Sequence, residues 1–165
     1  MGLFPKFDKG MSAIVGVFRP IPMIALIPFF ILWLGIAEES KIAVITLGTF
    51  WPVLINTGQG MKSADEKLLE LSRSLRKSYF QVLFQIILPS ALPFIGSGIR
   101  LAAGQALVCV VTSEMIAASS GVGYMIMFAR ELSKADLMLV GVFTIGVFGF
   151  IIDFLFLKIQ KKLMN

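Results

Sequence analysis

Residues 137–157 form an unbroken apolar run whose only charge is Asp153. At about 1.5 Å per helical residue, a run of this length reaches across the ~30 Å hydrocarbon core of a bilayer. Water cannot satisfy the backbone there, so the segment must be a helix with its peptide groups paired internally. Three more apolar runs occur at residues 21–37, 42–57 and 101–118. The first carries Pro28 and the second carries Trp51 beside Pro52, so kinks are expected in both; the third begins just after Arg100. The expected fold is an all-α polytopic transmembrane bundle of about four spanning helices.

Composition agrees with a bilayer as the solvent. The 165 residues are 57% hydrophobic and 15% charged, outside the range of soluble domains. With the N-terminus placed inside, only Lys41, Arg130 and Lys134 of the 15 Lys and Arg fall on the outer side. Cytoplasmic segments carry such an excess, so both termini and the loop at 58–97 are expected in the cytoplasm. The net charge of +5 therefore reports topology, not nucleic-acid binding. On the outer side the sequence predicts a tight turn at 38–41 and a segment, 119–136, apolar enough to dip back into the protein. The N-terminal run that follows Lys6 and Lys9 ends at Arg19 and Pro20 with no small-x-small cleavage site, and no secretory signal is expected.

Several chemistries are excluded. The chain has no His, which removes His-based acid–base catalysis, Ser-His and Cys-His nucleophiles and the common zinc sites. The single Cys109 lies in "ALVCVV" and reads as a small buried hydrophobe. No "GxxxxGK[ST]" phosphate loop is present, so any ATP hydrolysis belongs to another chain. No enzyme activity and no cofactor are expected.

The stretch "ELSRSLRKSYFQVLFQIILPSALP", residues 70–93, interrupts the apolar pattern with closely spaced charges. Ser63 with Glu66, and Ser78 with Gln81, have capping-box spacing and predict two short helices. On the first, Leu68, Leu71 and Leu75 recur at helical spacing as one apolar stripe among charges. The second runs from about Tyr79 to Leu88, where Pro89 and Pro93 are expected to break it and turn the chain. Such helices either lie on lipid headgroups or seat in a groove of a partner protein.

This stretch resembles the Glu-Ala-Ala cytoplasmic loop of ATP-binding-cassette importer permeases. The match falls on Glu70, Leu71 and Ser72, then Arg76, then Ile86, Leu88 and Pro89. Residues 19–57 and 114–127 resemble the branch of that family that handles nitrate, sulfonate, taurine and related small molecules. The resemblance implies a permease subunit, working as a homodimer or with a second permease, that couples to cytoplasmic ATPase subunits through the loop at 63–89. It also implies an extracytoplasmic substrate-binding protein, and a cargo that is a small anion or a vitamin precursor. Glu70, Leu71, Ser72, Arg73, Leu75, Arg76, Ile86, Leu88 and Pro89 would carry the coupling. Against the family pattern, Leu71 and Ser72 replace two alanines and Arg76 stands where glycine is usual. If the bend there is left-handed, a non-glycine residue costs roughly 1–2 kcal/mol. Family members generally have one or two further spanning helices upstream, so the chain reads as a partial permease domain, and a non-transporting accessory or relict subunit is the alternative.

Pathway candidates are few. Thr112, Ser113, Glu114 and Pro28 are the possible pathway or gate residues. The preferred reading of Glu114 is a structural tie to backbone N–H groups of the "ASSGVGY" turn, because a fixed acid would repel an anionic cargo. Asp153 is expected to pair with a basic residue at the cytoplasmic edge. Gly98, Ala102 and Ala106 recur every four residues and predict a face for close helix contact.

Overall fold

The computed structural model describes residues 15–18, 20–36 and 38–164; Lys6, Lys9 and Arg19, used above for orientation, lie outside them. After a helical turn at 15–18 come α1 (Met23–Leu34), α2 (Glu38–Lys62), α3 (Glu66–Ser74) and α4 (Tyr79–Val82). A π-turn (Leu83–Ile87) then leads into α5 (Leu88–Ala117), followed by α6 (Val122–Glu131) and α7 (Ala135–Met164). Among the described residues three helical stretches are long and apolar enough to cross a membrane, Glu38–Lys62, Tyr79–Ala117 and Ala135–Lys162. They correspond to the last three of the expected spans.

The first expected span is shorter than its apolar run. α1 has 12 residues, so it extends only about 18 Å. Gly35 ends it at φ 80, a left-handed conformation that glycine adopts without a Cβ penalty, and its N–H bonds to the Ile31 carbonyl. Glu38 to Lys41, expected as a turn, is instead the first turn of α2. Two acids at a helix N-terminus favour this start, and Lys41 closes it with a 2.7 Å ion pair to Glu38.

Pro89 does not break the second loop helix as expected. It sits in the first turn of α5, immediately after the π-turn, and Pro93 lies inside α5 without ending it. In a π-turn the N–H of Leu88 reaches back five residues to Leu83, and this wider ring accommodates a residue that brings no donor. The result is one helical column, residues 79–117, rising from the loop through the bilayer.

The bundle is built on the antiparallel contact of α2 with α5, its most extensive interface. Small residues let the two backbones approach. A Cβ added to Gly98 would lie 2.8 Å from Asn56 Cβ and 3.2 Å from the Pro52 carbonyl, and one on Gly60 would lie 3.0 Å from Ala91 Cα. At the other end Gly48 faces Cys109 Sγ. Ala91, Gly98, Ala102 and Cys109 are the buried residues along this side of α5, which places the predicted small-residue face in the interface. Ile27 of α1 closes over Val44 and Cys109 to form an apolar cluster, with Met23, Phe30, Ile31 and Ile45 around it. α7 packs on α5 and α6 but leaves Phe143, Phe148, Phe150, Phe154 and most of its other large side chains exposed. An apolar helix of this kind is suited to lipid or to a protein partner within the membrane.

Hydroxyl and amide groups inside the spans mostly bond to their own helix. Thr49 donates to the Ile45 carbonyl, Asn56 to Pro52, Ser97 to Pro93 and Thr144 to Val140. This is how polar side chains are tolerated where no water competes. The Gly98 contact yields a direct test: Gly98→Leu must push α5 off α2 and destabilise the protein by about 1–3 kcal/mol. Gly104→Leu, on a side of α5 with nothing within 4 Å of the added Cβ, should be tolerated. Unfolding midpoints in detergent that are equal for the two variants would contradict the interface.

Candidate coupling loop and polar groups of the spans

α3 projects from the bundle with little packing against the spans. Its N-cap is Asp65, whose Oδ1 accepts from the Lys67 N–H at 2.9 Å, and not Ser63 as the spacing predicts. Ser63 instead donates to the Gly60 carbonyl at 2.8 Å, finishing the last turn of α2. Asp caps at least as well as Ser and adds a negative charge where the helix dipole favours it. The other predicted box forms as read: the Ser78 hydroxyl accepts from the Gln81 N–H while the Gln81 side chain accepts from the Ser78 N–H.

Between the two helices the backbone bends at Arg76, which takes φ 50. The Lys77 N–H bonds to the Ser72 carbonyl and the Arg76 N–H to that of Arg73, both at 3.0 Å. These two bonds satisfy the last carbonyls of α3 in a Schellman cap whose left-handed residue is usually glycine. The same geometry recurs at Ser133, φ 56, after α6, with Lys134 bonded to Ala129 and Ser133 to Arg130. Lys77 also reaches Gln85 across the bend at 2.7 Å, tying α3 to the column above it.

The coupling candidates are distributed unevenly over this geometry. Leu68, Leu71 and Leu75 are 46%, 55% and 61% exposed, so the apolar stripe has no cover among the described residues. Glu70 and Arg73 flank it, also exposed, as is Arg76. Ser72 is buried and its hydroxyl donates to the Leu69 carbonyl. Ile86 and Leu88 belong to the column, at the π-turn and its end, with Pro89 next in line.

The pathway candidates do not converge on one site. Thr112 donates to its own helix at the Val108 carbonyl, and Ser113 is 2% exposed with its hydroxyl unpaired among the described residues. Glu114 accepts from the Gly123 N–H at 2.9 Å, so its carboxylate caps the first turn of α6. Gly121 and Gly123 make this possible: a Cβ on either would overlap Glu114, and one on Gly123 the Val111 carbonyl as well. Pro28 is exposed on α1.

Asp153 finds its base on the neighbouring span. Its two oxygens accept from Arg100, Oδ1 from Nε at 2.5 Å and Oδ2 from Nη2 at 2.8 Å, joining α5 to α7. Gln160 adds a second tie two turns further along α7, donating to the Pro93 carbonyl and the Ser97 hydroxyl. Beside the ion pair lies a cavity of about 390 Å³, and on the other side of Leu101 and Gln105 a second of about 460 Å³ that reaches Trp51 and Asn56. Asn56, Gln105 and Gln160 were not singled out from the sequence; Asn56 and Gln105 each interrupt an apolar run, the signal that marks such positions, whereas Gln160 lies among lysines beyond the last run.

A model of the binding-protein-dependent transport system inner membrane component family matches residues 1–165. The chain belongs to that family. It is 43% identical to a Bacillus subtilis protein, SsuC, named for aliphatic sulfonates transport, over all of this chain and 61% of that one. It is 36% identical to the taurine transport system permease protein TauC of Escherichia coli, over 99% of this chain and 59% of that one. The chain thus spans about three fifths of the length of these relatives. The fold matches a chain of the MetNI methionine ABC transporter in an inward-facing crystal form, with TM-score 0.75 and 21% identity over 97% of this chain and 77% of that one. The all-helical permease fold expected from the sequence is therefore the one found.

The Glu114 cap can be tested directly. Glu114→Ala removes the acceptor at the start of α6 and should lower stability by about 1 kcal/mol, whereas Glu114→Gln retains an oxygen and should lose less. Equal unfolding midpoints for Glu114→Ala and the parent chain would contradict the cap.

Proposed function

We propose that this chain is the permease subunit of an ABC importer, with α3 as the lever that a separate ATPase grips. The observation that carries this reading is the exposed Leu68–Leu71–Leu75 stripe on a capped helix that projects from the spans. A helix presenting leucines at three- and four-residue spacing, flanked by Glu70 and Arg73, suits a groove with an apolar floor and charged walls. The column 79–117 continues rigidly from the bend through the bilayer, so movement of α3 is carried into α5 as a body.

In this reading both termini and residues 58–97 are cytoplasmic, in keeping with the distribution of Lys and Arg. Two copies of the permease pair with two ATPase subunits, and a binding protein delivers cargo to the outer face, where the Glu114-capped α6 lies. The cargo is a small anion of the sulfonate or taurine kind, supported by the names of the relatives. Glu70, Leu71, Arg73 and Leu75 contact the ATPase. Ser72 and Arg76 shape the helix end, while Ile86, Leu88 and Pro89 join it to the span.

Charge reversal provides the test. The double variant Glu70→Arg, Arg73→Glu should fail to co-purify the co-expressed ATPase while remaining in the membrane at normal levels. Arg76→Gly should retain co-purification and substrate-stimulated ATP hydrolysis, because the cap bonds that set the bend are backbone bonds. Undiminished ATPase capture by the double variant would refute the lever.

A further inference from the structure

The face of α5 that carries Ser97, Arg100, Leu101, Gly104 and Gln105 is not suited to lipid. Ser97, Arg100, Gly104 and Asp153 line one cavity, a trough along α5, and Leu101 and Gln105 stand between it and the cavity that reaches Trp51 and Asn56. An ionised pair and a carboxamide in such a place are expensive against hydrocarbon and are found instead where protein or a hydrated cavity surrounds them. Nothing lies within 4 Å of a Cβ built on Gly104, so the floor of the trough is open at its middle.

The chemistry of the trough favours an anion. Both Asp153 oxygens are taken by Arg100, through Nε and Nη2 only. A guanidinium has five N–H donors, so three remain directed elsewhere. The Arg100 side chain is 35% exposed, which leaves room for them to be approached. The Gln105 amide has only a 3.9 Å contact to Cys109 Sγ and so offers further donors. Asp153 meanwhile cancels the charge of Arg100. A lone arginine in a low-dielectric trough would hold an anion tightly, whereas a neutralised one holds it weakly enough to release it, as a route requires.

We infer that the trough along α5 is an anion subsite of the transport route, in which the free donors of Arg100 and the Gln105 amide hold the acidic head of a small sulfonate-like solute while Asp153 keeps the site weak. The inference deepens the importer reading and rests on it for the direction of movement and the cargo class. Gln105 and Arg100 touch the solute; Asp153 is a positioning residue that acts through Arg100.

The test places a reporter at the open floor. Gly104→Cys, in a Cys109→Ala background, is assembled with its partner subunits in membrane vesicles. It is then labelled with an anionic sulfonatoethyl or a cationic trimethylammonioethyl methanethiosulfonate. The anionic reagent should react modestly faster, because the pair is neutral and only the free N–H donors favour it, and ethanesulfonate should slow it; a difference of about tenfold, the scale of a charged cleft, is expected once Asp153 is neutralised. Adding Arg100→Gln, which leaves the Asp153 carboxylate uncompensated, should reverse the preference toward the cation, and adding Asp153→Asn should widen the preference for the anion. A cysteine that neither reagent reaches would put this face against lipid or protein. A preference unaffected by Arg100→Gln, or equal effects of Arg100→Gln and Asp153→Asn, would reduce the pair to a clasp between helices; any of these results overturns the subsite. ATP-driven uptake of ethanesulfonate by the same vesicles is read separately. Charge-selective labelling without uptake would sink the importer reading and leave the subsite standing.

Discussion

The close antiparallel contact of α2 and α5 is the interaction on which the rest of the molecule depends. In a bilayer the apolar side chains gain little by leaving lipid for one another, so helices associate through close packing and a few polar ties. Gly48, Gly60, Ala91 and Gly98 bring the two backbones together, and the Ile27–Val44–Cys109 cluster closes one end of the seam. Once this pair is set, α7 is held to α5 by Arg100–Asp153 and Gln160, and α6 is held under the end of α5 by Glu114. Each polar tie joins elements that lipid alone would leave free to separate.

The same pair explains how the loop and the spans form one device. α5 is continuous with α4 through the π-turn, so the helix that carries the small-residue seam and the Arg100 trough also descends to the bend at Arg76. In the importer reading, movement of α3 is passed to the wall of the trough. The importer reading therefore needs no flexible transmitter between the loop and the spans, only a column in which a wider turn precedes Pro89.

What the sequence made legible was local. The Ser78–Gln81 box is a pattern of four residues and forms as read, and the small-residue period of Gly98, Ala102 and Ala106 needs only one helix to be recognised. The left-handed bend at Arg76 was anticipated as one of two possibilities, because a glycine position filled by arginine identifies the place without fixing the backbone. Where two local signals competed, the stronger won: Asp65 caps α3 and Ser63 finishes α2. Pro89 read as a helix breaker because its missing donor is visible in sequence, while the π-turn that accommodates it is set by the whole column. Asp153 was legible as needing a base, but a partner 53 residues away is a matter of how helices pack. The trough was illegible for the same reason, since Gln105 and Asp153 line one cavity only when α5 and α7 are in place.

The account turns on the connection between α2 and α4 being a cytoplasmic lever held by a motor subunit. Single cysteines at Leu71 and Leu75, labelled from each side of sealed membranes and then crosslinked, test it most directly. The account predicts labelling from the cytoplasmic side alone and crosslinks to a nucleotide-hydrolysing subunit. Labelling from the outer side, or a lever that never captures such a subunit in the assembled transporter, would contradict it.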